Sequence, residues 1–351
     1  MINKFLSCFF SSDFYIFAAK NCANPKDWKL KMKKIRLTLI ALFVGMVSLT
    51  YAQDINEAGA KFNEGLELDK AKNYGGAIEA WEEAISVCDD IGFDAEELKA
   101  NIQKKLGYTY FKQGITQYKK KKFDVAIDAL KNAKEIASEI NDAKTAKSAS
   151  IYIPKIYSTK GLTLMAKKNY DEALSIFDEA LKYNSKCVDA FYGKGMTYKA
   201  LNKLDLAAEA FDKVIALGAG KKSVAKKVAS STIAAQKMFE AKAASELQIE
   251  HSAVAVDLLN KALKYSQSSP NTFYLLALAN NKLKKWDATI DAAQKALALE
   301  GVDASAVNFE LGKAFEGKGS AANACAAYKK VIDGPNVEAA KFQIKEVLKC
   351  K

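Results

Sequence analysis

NYDEALSIFDEAL at residues 169–181 and KLDLAAEAFDKVI at residues 203–215 decide the fold. Each opens on a large residue, Tyr170 or Leu204, after a short polar break. A small residue follows, Ala173 or Ala207, then an aromatic four positions on, Phe177 or Phe211. A third position, Ala180 or Val214, comes three further along. Steps of four and three put all of these on one face of a helix. Twelve residues before each alanine stands a glycine, Gly161 or Gly195, inside another stretch of helical periodicity. The pattern predicts two helices in close contact, glycine against alanine, with the aromatic ring filling the space beside them.

The same spacing recurs in both directions along the chain. It reads Gly65, Ala77, Trp81, Ala84, then Gly114, Ala126, Leu130, Ala133. Weaker sets follow at Ala243, Ala255, Leu259, Ala262, at Ala277, Thr289, Ala293, Ala296, and at Gly312, Ala324, Tyr328, Val331. The turn between paired helices is entered by Tyr74, Phe123, Tyr170, Leu204 or Trp286, but Ser252 and Ala321 occupy that place in two units. Seven sets in series predict a repeat array, whose units each need a neighbour to bury an apolar face.

These residues resemble the tetratricopeptide repeat family over roughly residues 55–333. The resemblance implies an all-α fold, a right-handed α-solenoid of about seven helix pairs. Two gaps between units are 34 residues and one is 35, whereas those from Gly65 to Gly114, Gly114 to Gly161 and Gly195 to Ala243 are 49, 47 and 48. An excess of this size is close to four helical turns, so lengthened helices are expected, such as one over 96–120. Pro154 falls within the second long stretch and should kink or restart its helix. Residues 334–351 read as a capping segment, with a helix from Val337 to Leu348 whose Glu, Lys and Gln would wet the end of the stack.

In that family the first helices line a concave face where peptides bind. The resemblance therefore implies a partner-binding face from Phe62, Leu66, Tyr108, Phe111, Ile115, Tyr118, Leu162, Met165, Tyr192, Met196, Tyr274, Leu278 and Phe309, about half of which are expected to belong to the core. Chaperone-binding members carry a Lys/Asn/Arg clamp for a terminal carboxylate. Lys155 and Ser158 at the matching positions do not rebuild it.

The composition agrees with a folded helical protein. Of 351 residues, 50% are hydrophobic and 27% charged, and four prolines leave long helices uninterrupted. The formal charge is +12, but residues 1–52 hold eight of the basic and two of the acidic residues, leaving +6 on the remainder. Arg36 is the single arginine. Lysine is a solvated point charge without arginine's bidentate fork, which argues against nucleic acid as the partner.

Residues 32–52, MKKIRLTLIALFVGMVSLTYA, read as a signal peptide: Lys33, Lys34 and Arg36, a short apolar run from Leu37 to Leu49, and Thr50 and Ala52 before a cut ahead of Gln53. The run is short for a membrane span. Met32 opens the signal, so residues 1–31 read as an upstream extension. The mature chain is expected in the periplasm or outside the cell.

No motif for catalysis, cofactor or metal is legible. The chain has one histidine, His251, which reads as a surface residue at the start of a second helix. Lys119–Lys122 reads as a solvated turn. Four cysteines follow the signal, allowing three connectivities. The register favours Cys325 with Cys350, because the last second helix and the antiparallel cap should bring them together, while Cys88 and Cys187 read as buried thiols. The expected function is non-enzymatic capture of another protein or peptide. A carbohydrate or acidic-polymer module is the alternative.

Overall fold

The computed structural model describes residues 33–34, 37–38 and 54–351. The signal expected at 32–52 and the extension at 1–31 lie, but for those four residues, outside the described part. Two compact units are present, Met1–Ala149 and Ser150–Lys351.

The described elements are helical. In the first unit α1 spans 54–70, followed by α2 (Tyr74–Ile91), α3 (Glu96–Lys119) and α4 (Phe123–Glu139). Helix α5 (Ala143–Ala166) starts in this unit and carries the chain into the second. There follow α6 (Tyr170–Tyr183), α7 (Val188–Ala200), α8 (Leu204–Gly218), α9 (Ala225–Gln248), α10 (Ser252–Leu263), α11 (Pro270–Lys282), α12 (Trp286–Leu297), α13 (Ala304–Gly317), α14 (Ala321–Tyr328) and α15 (Val337–Phe342). Odd-numbered helices up to α13 are the first members of pairs and even-numbered ones the second.

The residues read as entering the turn, Tyr74, Phe123, Tyr170, Leu204 and Trp286, with Ser252 and Ala321 at the same place, instead begin the second helices and so lie at the turn's end. Two residues earlier the chain adopts a left-handed conformation every time, at Lys72, Lys121, Lys168, Asn202, Glu250, Lys284 and Gly319. The next N–H then donates back into the first helix, as in Asn169 N–H to the Leu164 carbonyl (3.0 Å) and Lys203 N–H to that of Tyr198 (2.9 Å). This satisfies carbonyls that the helix end would otherwise orphan. Six of these seven positions carry a side chain where glycine is the usual solution, so tertiary packing of the two helices enforces the turn.

The helix pairs form where the spacing places them, but each glycine faces the bulky residue of the second helix and not its alanine, because the ring or branched chain lies over the first helix of its own pair. A methyl added at Gly161 would lie 2.5 Å from the Phe177 ring, one at Gly195 2.6 Å from Phe211, and one at Gly312 2.6 Å from Tyr328. In the first unit Gly65 meets Trp81 and Gly114 meets Leu130 in the same way. The Trp81 indole is fully buried, and its N–H donates to the Phe62 carbonyl at 3.0 Å. Burying a side chain of this size contributes about 1.5–3 kcal/mol, and the recurrence of the contact distributes that gain along the array.

The long gaps are long helices. α3, α5 and α9 have 24 residues each, whereas α7 and α11 have 13 and α13 has 14. α5 does not restart at Pro154: one helix runs through it. The expected cap differs too. It is helical over Val337–Phe342 and finishes in a π-type turn, Gln343–Val347, while Phe342 and Val347 face solvent beside its polar residues. Its other face covers Tyr328 and Val331 through Ala340, Ile344 and Leu348.

Candidate partner-binding face

Within the second unit the first helices approach one another, α7 with α9, α9 with α11 and α11 with α13. Successive second helices (α8, α10, α12, α14) approach less closely. The first helices therefore make the tighter, inner side of this stack. Of the residues expected on a binding face, Tyr192 and Met196 lie on α7, Tyr274 and Leu278 on α11, Phe309 on α13 and Leu162 on α5.

None of the thirteen residues expected on the binding face is fully buried. Tyr108 is 50% exposed and the other twelve are intermediate. They sit at the edges of the core. Phe62 and Leu66 flank the Trp81 cluster, Tyr192 and Met196 flank the Phe211 cluster, Tyr274 and Leu278 flank Phe273 and Leu276, and Phe309 lies 5.8 Å from the Tyr328 ring. The expectation that half would be core does not hold, because none of the thirteen is fully buried; Phe62, Leu66, Tyr192, Met196, Tyr274, Leu278 and Phe309 pack against core clusters while remaining partly open. In the first unit Tyr108 stacks on Phe111 at 6.3 Å between centroids, and Lys112 sits over the Tyr108 ring. Ile115, Tyr118, Leu162 and Met165 are likewise half-buried.

Three buried carboxylates lie on the same helices, and sequence reasoning missed them: Glu246 on α9, paired with Lys242 at 2.7 Å and His251 at 3.0 Å, and Glu240 and Glu310. Glu240 on α9 accepts from Ser269 Oγ (2.7 Å), Thr272 Oγ1 and Gln236 Nε2 (3.0 Å). Burial alone would push its pKa up. Hydrogen bonds from Thr272, Gln236, Ser269 and Asn271 outweigh that and hold it below the usual carboxylate range. Ser269 also caps α11, so Glu240 ties α9 to the first turn of the next first helix. Glu310 on α13 accepts from Asn281 Nδ2 at 2.6 Å and pairs with Lys313 at 3.1 Å. The only signal was an acidic residue within an otherwise small or apolar stripe.

Phenol–carboxylate bonds tie neighbouring elements together. Tyr110 donates to Glu82 (2.6 Å) in the first unit; in the second, Tyr265 donates to Asp212 (2.9 Å) and Tyr328 to Glu316 (2.8 Å). Burial, then the Glu82 carboxylate, push the Tyr110 phenol up to about 12. Lys194 on α7 reaches Asp178 on α6 at 2.6 Å, one residue past the Phe177 wedge.

His251 is exposed and precedes α10, its Nδ1 3.0 Å from the Glu246 carboxylate. Lys119 ends α3 and Lys120, Lys121 and Lys122 lie in the turn before α4, all four exposed. Cys325 and Cys350 are joined by a disulfide with Cα atoms 5.8 Å apart; Cys88 and Cys187 are free and buried. Among the described residues no group of three or more His, Cys, Asp or Glu is placed to hold a metal, and no helix is long and apolar enough to cross a membrane.

Residues 158–222 match the tetratricopeptide repeat family model. That segment contains the Gly161–Phe177 and Gly195–Phe211 contacts, and the same contacts and turns recur in the other helix pairs. Over residues 158–222 the chain matches that family, and the described residues form an all-α series of such helix pairs. Similar solved structures include MamA protein, with 21% identity over 55% of this chain and 95% of that one and a TM-score of 0.34. Another is YrrB, titled a tetratricopeptide-repeat protein with an unusual peptide-binding site, with 17% identity over 55% and 91% and a TM-score of 0.34. A tetratricopeptide repeat protein from Parabacteroides merdae shares 15% identity over 84% of this chain and 100% of its own, with a TM-score of 0.27. No curated protein matches the chain.

Proposed function

We propose that this chain is a non-enzymatic scaffold of the bacterial cell envelope that captures a segment of another protein along the inner, first-helix side of its repeats. The observation that carries this reading is the run of half-buried apolar residues on the first helices. Their packed sides hold them in place at little entropic cost, and their open sides offer apolar area to a partner. Reversible burial of a partner segment is the whole mechanism; no bond is made or broken.

The envelope location rests on the signal-like stretch at 32–52, and the Cys325–Cys350 disulfide suits an oxidising compartment. Replacing Tyr192 or Tyr118 by Ala should weaken partner capture without unfolding the protein, since neither is fully buried. Undiminished capture by both variants contradicts the reading.

A further inference from the structure

The inner side of the second unit has an order of charge that its apolar residues alone do not reveal. The small residue that meets the second helix in each pair gives a common origin: Gly161, Gly195, Ala243, Ala277 and Gly312. Leu162, Met196, Ala244 and Leu278 come one position after that origin, and Tyr192, Tyr274 and Phe309 three before it. These make an apolar floor. Lys155 and Lys237 each come six positions before the origin; Lys199 and Lys282 come four and five after it. At 1.5 Å of rise per residue the two sets stand about 15 Å apart along the helix axes, one on each side of the floor.

The charges at these places do not cancel. Asp189 pairs with Lys227 at 3.1 Å, and Glu316 accepts from Tyr328. Glu240 and Glu310 are buried and held by the hydrogen bonds described above. Lys155, Lys199, Lys237 and Lys282 are exposed and, among the described residues, make no ion pair; Lys155 has only the Tyr152 ring, at 5.4 Å. The carboxylates at these places are held by internal hydrogen bonds or ion pairs, and of the lysines at the floor and its flanks only Lys313 is paired among the described residues, with Glu310.

We propose that the partner is an acidic, apolar protein segment: apolar side chains seated on the Tyr192–Met196–Leu278 floor, with Asp or Glu on both flanks meeting Lys199 and Lys282 on one side and Lys155 and Lys237 on the other. This rests on the protein-capture reading and adds the partner's chemistry. An acidic polysaccharide would use the lysines but not this floor. Its hydroxyl-bearing rings would leave the aliphatic part of the floor, Leu162, Met196, Ala244 and Leu278, without an apolar partner.

Selection of random peptides displayed on phage tests the proposal, because such a library offers segments of every charge and hydropathy. The baits are the full chain, the variant Lys199→Glu/Lys237→Glu/Lys282→Glu, and the control Lys213→Glu/Lys264→Glu, whose exposed lysines lie outside the first helices. All changed residues are exposed, and a thermal melt verifies folding. The wild type and the control should enrich peptides combining Asp or Glu with Leu, Ile, Val or Phe. Their affinity should fall by about tenfold or more for the triple variant and decline with salt. Enrichment of neutral or basic peptides, equal enrichment by the triple variant, or no enrichment at all overturns the acidic-segment proposal. So does lysine-dependent binding of polygalacturonate with no peptide enriched. A further bait, Met196→Asp, separates the two levels. Peptides of any charge lost with this variant leave the capture reading standing without the acidic partner, and peptides unaffected by it remove both.

Discussion

The ring of Phe177 on α6 fills the space that a side chain on Gly193 of α7 would need. Gly193 belongs to the next helix pair, so one ring joins two repeats: it meets Gly161 within its own pair and Gly193 across the boundary. Phe177 has no exposed surface and nowhere to retreat. Gly193→Ala should therefore destabilise the protein by about 1–3 kcal/mol through overpacking, although alanine is intrinsically the better helix residue by about 1 kcal/mol. Gly59, on α1, has no atom of the described residues within 4 Å of an added methyl. Gly59→Ala should gain about 0.5–1 kcal/mol. Urea unfolding of both variants measures the pair of opposite signs.

The left-handed turn residues give a second test. Lys121, with φ near 59°, occupies the place that glycine occupies at Gly319, φ 74°. A left-handed non-glycine residue costs roughly 1–2 kcal/mol locally, partly offset by the greater freedom of glycine in the unfolded chain. Lys121→Gly should raise stability by up to about 1 kcal/mol, and Gly319→Lys should lower it by a similar amount. Differential scanning calorimetry reads both.

Glu240 predicts a dependence on pH. Its folded-state carboxyl lies below the usual range although burial opposes this, because Thr272, Gln236, Ser269 and Asn271 donate to it. The folded protein binds fewer protons than the unfolded chain near pH 4, so this contribution is complete above the unfolded value, about 4.3, and disappears as pH falls through the folded one. Glu240→Gln should flatten the acid side of the stability–pH profile. An unchanged slope between pH 5 and pH 3 would contradict the assignment.

The disulfide should act on the cap alone. It closes the chain between Cys325 and Cys350, a separation of 25 residues, at the end of the array, where Lys329 Nζ also reaches the Lys351 carbonyl at 2.7 Å. A loop of that size contributes about 2–4 kcal/mol, and in a repeat array the loss stays near its origin. On reduction, or in Cys350→Ser, hydrogen exchange should accelerate in α14 and α15 while α8 keeps its protection.

The positions that carry the fold were legible because each has a steric reason that only a few residue types satisfy. Trp81, Leu130, Phe177, Phe211, Leu259, Ala293 and Tyr328 are all buried where the spacing placed them. The left-handed lysines were not legible: lysine has no preference for that conformation, and the turn is imposed from outside by the two packed helices. Gly193 was missed because its partner lies in the preceding repeat, at a spacing that only one pair of repeats displays. Glu240 and Glu310 were missed because the groups that make burial tolerable, Thr272 and Asn281 among them, come from the neighbouring first helix, 32 and 29 residues away in the chain. The open apolar side of the first helices was legible in identity but not in burial, since sequence alone does not tell an edge-packed Tyr192 from a core one.

A photo-crosslinking residue placed at position 196, on the floor of the first helices, and separately at Glu209, exposed on second helix α8, tests the central claim most directly in intact cells. The account predicts that position 196 crosslinks to a discrete protein through an acidic, apolar segment and that position 209 does not. Equal crosslinking from both positions, or a partner captured only from position 209, would contradict it.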